Sequence, residues 1–179
     1  MVWLIGKLVH WLIEQSAMST LSIGNSAPAF SMSGVDGKSY GLNEGGARLT
    51  LAAFFKTTCP VCALEWLYLE KIHQAYKDAG LAVWGVSQHD RAASQNFASK
   101  HGSTFPILID AGFRASHQYD PEVVPTLFLI DAANTIIERV ASFDKAGLNR
   151  LSNAIAARLG VGASVIATDD DGNPPFRPG

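Results

Sequence analysis

The chain of 179 residues contains two cysteines, and both fall in one stretch, "FFKTTCPVCALEW", residues 54–66. Pro60 and Val61 separate Cys59 from Cys62. Thiols so spaced support several kinds of chemistry: half of a metal site, a structural staple, a peroxide-reducing thiol, or a dithiol that trades electrons with other thiols. A tetrahedral zinc site needs two more ligands. His73, His89, His101 and His117 offer no closely spaced pair, so no metal is expected. A staple across so short a loop removes little entropy from the unfolded chain. A buried, inert pair is the bland alternative, because cysteine is among the most buried residue types.

Position argues for reactivity. An apolar run leads into Cys59, and Pro60 suits the first position of a helix, where a missing N–H costs nothing. Cys59 then stands where unpaired backbone N–H groups and the helix dipole stabilise negative charge. The thiolate is the nucleophile. Lys56 is a candidate for adding positive charge beside it. Cys62 falls one turn into the helix, within reach of the first sulfur and more covered. The expected chemistry is attack by Cys59 on a disulfide and resolution by Cys62.

Alternating elements must hold this pair in place. "RLTLAAFF" reads as a buried strand. Residues 61–79 carry Leu64, Tyr68, Ile72, Ala75, Tyr76 and Ala79 at helical period, closed by Gly80. "LAVWGVS" is a second buried strand. Asp90 caps a helix running to His101, with Gly102 as its stop. "FPILID", "PTLFLID" and "TIIERVA" are further strands, the last two joined by a hairpin-length "AAN". Asp144 caps a last helix with Leu148, Leu151, Ile155 and Leu159 inward and Gly160 at its end. This order predicts an α/β fold, a central mixed sheet flanked by helices on both faces.

The ends differ from the middle. Residues 1–20 form an apolar extension interrupted by Lys7 and His10, too short for an ordinary spanning helix of roughly 20 apolar residues. Two readings stay open for it. Either synthesis starts at Met18 or the segment packs on the domain, or else residues 1–15 associate with a membrane. A cytoplasmic location is slightly favoured, with an anchored or extracytoplasmic one as the alternative. Residues 21–162 are the expected domain. Residues 163–179, acidic and then rich in Pro and Gly, read as a disordered tail. Charge is nearly balanced, with 14 Lys and Arg against 16 Asp and Glu, and no basic run invites nucleic acid.

With these residues in view, the sequence resembles the thioredoxin-like redoxins of the AhpC/TSA-related superfamily, particularly the TlpA-like thiol–disulfide oxidoreductases. The likeness spans about residues 21–160. It rests on "IGNSAPAF" and "DGKSYGL", on the Cys59-Pro60-Val61-Cys62 motif, on "GVSQHD", and on "VVPTLFLID". The resemblance implies a thioredoxin-like fold and a cis-proline, Pro125, facing the dithiol. It also implies that Val124 and Thr126 beside the proline, with Pro60 and Val61 between the cysteines, meet substrate. Glu65 matches an acidic residue three positions after the second cysteine, with a role in the dithiol's protonation. The buried Asp that thioredoxin carries in the preceding strand is Ala53 here. From the residues themselves, a proline that opens a strand cannot donate to the ladder, which leaves the Val124 backbone available to an extended substrate. An ordinary trans proline is the alternative. For Glu65 the alternative is a solvated helix-face side chain.

Two rival functions share this fold. A peroxiredoxin-like peroxidase carries a proline seven residues before its cysteine and a hydroxyl three before, where this chain has Ala52 and Lys56. A redox-inactive binding module would keep the fold for contacts alone. The sequence favours thiol–disulfide exchange without a cofactor, with protein thiols and disulfides and an upstream dithiol reductant as partners.

Overall fold

The computed structural model describes residues 20–42, 44 and 46–179. The readings of residues 1–15 lie outside these. Among the described residues no helix is long and apolar enough to cross a membrane.

The chain opens with a small antiparallel pair, β1 (Ser31–Ser33) and β2 (Ser39–Gly41). It then builds a five-stranded sheet from β3 (Leu49–Phe55), β4 (Leu81–Ser87), β5 (Ile107–Ile109), β6 (Thr126–Asp131) and β7 (Ile136–Ala141). The order across the sheet is β5-β4-β3-β6-β7. β3, β4 and β5 run parallel, while β6 and β7 run antiparallel to their neighbours. The helices are α1 (Pro60–Tyr76), α2 (Arg91–His101), α3 (Arg114–Tyr119) and α4 (Lys145–Leu159). A 3-10 turn over Lys77–Ala79 extends α1 to Gly80, whose φ of 112° is the left-handed stop that glycine adopts at least cost.

All seven residues of β3 are buried because both faces of the sheet are covered. Leu49, Leu51, Ala53 and Phe55 face a core shared with Trp66, Leu69 and Ile72 of α1, Phe97 of α2 and Leu148, Leu151 and Ile155 of α4. Ala52 and Phe54 point the other way, to Ala115 and Tyr119 of α3, Phe128 and the residues near Phe30. The mixed sheet flanked by helices agrees with the expectation from sequence, and the structure has the thioredoxin-like fold. Within the predicted α1 stripe, Tyr68, Ile72 and Tyr76 are buried, whereas Ala75 is exposed and Trp66 and Leu69 take core places instead.

Three features depart from the sequence reading. Helix α3 has no counterpart among the elements expected from sequence. It starts at Phe113 with a φ of 55°, and its first N–H groups, on Ala115 and Ser116, donate to the Asp110 carboxylate at 3.1 and 2.8 Å. The capping side chain thus lies several residues upstream of its usual place. Asp144 does precede α4, but its side chain makes no capping bond and lies 3.8 Å from Arg150.

The third departure is residues 163–179, expected to be disordered. Ile166 and Ala167 are buried in the core under α4. The Asn149 side chain accepts both of their N–H groups, at 2.9 and 3.1 Å, and donates to the Ala167 carbonyl at 2.8 Å. The Lys145 ammonium, only 5% exposed, donates to the Asp171 carboxylate at 2.6 Å and to the carbonyls of Asn173 and Thr168 at 2.7 and 2.8 Å. The Tyr68 hydroxyl donates to Asp171 at 2.7 Å. A short strand, β9 (Phe176–Arg177), then pairs antiparallel with β8 (Phe143–Asp144). The acidic run that reads as solvated supplies the partner of a nearly buried lysine.

The Lys145 hydrogen bond, with Tyr68 adding to it, holds the Asp171 carboxyl well below its ordinary value of 3.8. A carboxyl lowered on folding stabilises the protein above its unfolded pKa, and that gain is lost as pH falls through the folded value. Asp171→Asn should therefore lower Tm at pH 7 and expose residues 168–179 to limited proteolysis. The Tm gap to wild type should close as pH falls below about 4. Melts at both pH values check this, and an equal gap at both would assign the effect to shape rather than charge.

Candidate active site

The register of the sheet brings the cysteines to Pro125. β3 runs toward Cys59, and β6 begins at Thr126 in the opposite direction, with Phe54 opposite Thr126. Residues just past the end of β3 therefore lie beside residues just before β6. The Val124–Pro125 peptide bond is cis. The Cys59 Sγ–H donates to the Val124 carbonyl at 3.5 Å.

Cys59 caps α1. Its backbone is extended, φ −85° and ψ 117°, and its N–H donates to the Lys56 carbonyl at 3.1 Å. Its sulfur accepts the Cys62 N–H at 3.2 Å, so the thiol occupies the place of an N-cap oxygen, and Pro60 follows at the first helical position. Cys59 is half-buried and Cys62 is 1% exposed, and both are free thiols. Burial pushes the Cys62 thiol up, and the hydrogen bond it makes with Cys59 adds to this.

The remaining sequence candidates separate by exposure. Pro60 is exposed and Val124 half-buried, so both remain on the accessible face. Val61 and Thr126 are buried. The Thr126 hydroxyl donates to the Val123 carbonyl at 2.7 Å, so this side chain shapes the loop rather than the surface. The Lys56 side chain is exposed, and the contact it makes here is through its backbone. Ala53 is core.

Glu65 is not a solvated glutamate. It is fully buried in α1, and neither carboxyl oxygen has a hydrogen-bond partner among the described residues. Burial raises its pKa well above 4.5, and the negative charges of Cys59 and Asp144 push further in the same direction. A carboxyl held protonated near a dithiol can give a proton to a thiolate.

Sequence reasoning missed a polar contact at the rim. The Thr57 hydroxyl and His89 Nδ1 are hydrogen-bonded. The signal was available in the parallel pairing of Phe55 with Ser87, which puts residues 57 and 89 side by side beyond the strand ends. Ser87 holds the His89 loop from below, accepting the His89 N–H at 3.2 Å and the Ser94 hydroxyl at 2.6 Å.

A dithiol at a helix start, beside a cis-proline that opens a strand of a mixed sheet, defines the class of thioredoxin-like redoxins. The profile of the AhpC/TSA family matches residues 23–139, and the chain belongs to that family. In sequence it is similar to the thiol-disulfide oxidoreductase ResA of Bacillus anthracis, 28% identical over 121 residues, 67% of this chain and 70% of that protein. In structure it is similar to a proposed thiol:disulfide interchange protein DsbE of Chlorobium tepidum, with a TM-score of 0.72 and 23% identity over 79% of this chain and 100% of that one. It is also similar to the thioredoxin domain of a thiol-disulfide oxidoreductase from Bacteroides vulgatus, with a TM-score of 0.68 and 23% identity over 76% and 99%.

Exposure and protonation predict the order of modification. Iodoacetamide applied to the reduced chain at mildly acidic pH should label Cys59 at least about tenfold faster than Cys62, read by peptide mass spectrometry. Faster labelling of Cys62 would reverse the assignment. Glu65→Gln tests the carboxyl. A group raised on folding contributes stability below its unfolded pKa and loses it as pH rises through the folded value, by about 1.4 kcal/mol per pH unit. Tm of Glu65→Gln should match wild type near pH 4 and exceed it increasingly above pH 4.5. A constant offset across pH would mean that Glu65 is ionised in the fold.

Proposed function

We propose that this chain is a thiol–disulfide oxidoreductase that exchanges electrons with protein disulfides through Cys59 and Cys62. The observation that carries the reading is the placement of Cys59 Sγ between the Cys62 N–H at 3.2 Å and the Val124 carbonyl at 3.5 Å. The first contact holds the sulfur at the helix start, and the second sets it against backbone that an extended chain can pair with. The names of the ResA relatives support the same reaction class.

The Cys59 thiolate attacks one sulfur of the partner disulfide. That S–S bond breaks, a mixed disulfide forms at Cys59, and the partner's other sulfur leaves as a thiolate and takes a proton. Cys62 then attacks the Cys59 sulfur, its proton passing to the sulfur that the partner releases, and the protonated Glu65 carboxyl is the nearby group able to give a proton to a thiolate. A Cys59–Cys62 disulfide forms and the partner leaves reduced by two electrons. An upstream dithiol returns those electrons and two protons by the reverse steps. Pro60 and the half-buried Val124 form the surface that the partner meets, with the buried Pro125 behind them.

Peroxide reduction has less support. Ala52 lies buried in β3 and Lys56 is exposed where a peroxidase carries its proline and hydroxyl. The nearby Thr57 hydroxyl is engaged with His89.

Cys62→Ser removes the resolving thiol and should accumulate mixed disulfides between Cys59 and a disulfide-bonded protein such as insulin, seen on non-reducing gels and absent in Cys59→Ser. Insulin reduction should fall at least about a hundredfold in either variant. Rapid consumption of hydrogen peroxide by wild type, with no trapped adduct, would favour the peroxidase.

A further inference from the structure

Residues 173–179 run directly to the proposed recognition edge. Lys145 N–H donates to the Pro175 carbonyl at 3.0 Å, and β9 pairs Phe176 with Asp144 and Arg177 with Phe143. The Gly179 N–H then donates to the Ser142 hydroxyl at 3.1 Å. Ser142 is itself tied to the proline loop, its N–H donating to the Pro125 carbonyl at 2.9 Å. Gly179 lies so close to Val124 that a Cβ built on it would collide with the Val124 carbonyl oxygen and stand 2.9 Å from the carbonyl carbon. That oxygen is the one that accepts the Cys59 Sγ–H.

Resting on the disulfide-exchange reading above, we propose that residues 173–179 are a specificity-determining cover: an extended polypeptide must displace them from Val124 to reach Cys59, whereas a small disulfide need not. The chemistry is that of strand addition. An incoming chain recognised by backbone hydrogen bonds needs the edge at Val124, and that edge already holds backbone supplied by the protein itself. Displacement is feasible because the grip is uneven. Asp171 and Asn173 are held by the Lys145 ammonium, but beyond them the hydrogen bonds found among the described residues are the Lys145 N–H to Pro175, a two-residue ladder and the Ser142 hydroxyl. Phe176 is 55% exposed and adds little burial. The segment can lift as far back as Asn173 without disturbing Ile166 and Ala167 in the core. Substrates are thereby sorted by how much backbone they present beside their sulfur.

The test uses the full chain carrying Cys62→Ser, loaded at Cys59 either with 2-hydroxyethyl disulfide or with an unstructured ten-residue peptide containing one cysteine. Amide hydrogen exchange is read at Phe176–Gly179. The peptide adduct should raise exchange there at least about tenfold over the unloaded protein, and the hydroxyethyl adduct less than about twofold. In the otherwise wild-type chain, Gly179→Ala pushes backbone off Val124 and Ser142→Ala removes the acceptor. Both should speed reduction of the peptide's disulfide dimer about fivefold, with 2-hydroxyethyl disulfide unchanged within twofold. Equal exchange in both adducts, no protection in the unloaded protein, or parallel rate changes for both substrates would overturn the cover. If neither disulfide forms an adduct, the exchange reading itself falls and the cover with it. Adducts that form and leave these amides protected refute the cover alone.

Discussion

The pairing of Phe54 with Thr126 across β3 and β6 is the constraint on which the site depends. Those strands run in opposite directions, so the chain leaving one and the chain entering the other emerge at the same edge of the sheet. A shift of the register by one residue would turn every side chain of β6 to the opposite face. It would also separate Cys59 from Val124, which are 65 positions apart in the chain. The two cores on either side of the sheet enforce that register, because each strand residue is committed to one of them. Packing far from the sulfurs is thus what sets the distance between them and the proline loop.

The dithiol is held by contrasting electrostatic arrangements. Cys59 is served by a backbone N–H at a helix start, an arrangement that costs the fold nothing because that N–H has no partner within the helix. Glu65 lies in the core with its oxygens unpaired among the described residues, and an unmade buried hydrogen bond costs about 1–3 kcal/mol. A structure selected for stability alone would place leucine there. By contrast, Lys145 has its hydrogen bonds supplied by Asp171 and two carbonyls. One buried ionisable side chain is compensated and the other is not, and the uncompensated one is next to the sulfurs.

Much of this was legible in the residues. The strands at β3 and β4, the helix with Asp90 before it and Gly102 after it, and the Cys59–Cys62 pair at a helix start all follow from local patterns of apolar period and capping chemistry. Pro125 beside the dithiol was legible only through resemblance, since two segments distant in sequence meet by register, which no local pattern encodes. The burial of Glu65 was equally hidden, because glutamate on a helix reads as solvated unless its neighbours are known. Residues 163–179 failed for a related reason. Their order depends on Lys145, Asn149 and Tyr68, which a reading of the segment by itself does not include.

The distance in sequence between Tyr68 and its partner Asp171, 103 positions, also gives the molecule an order in time. A chain made from its amino end completes Cys59, Cys62 and the whole of β6 and β7 before the residues that lie over Val124 exist. Elements already synthesised can fold while the rest is still being added. The contact of Gly179 with Val124 therefore becomes possible only after β6 and β7 have been made.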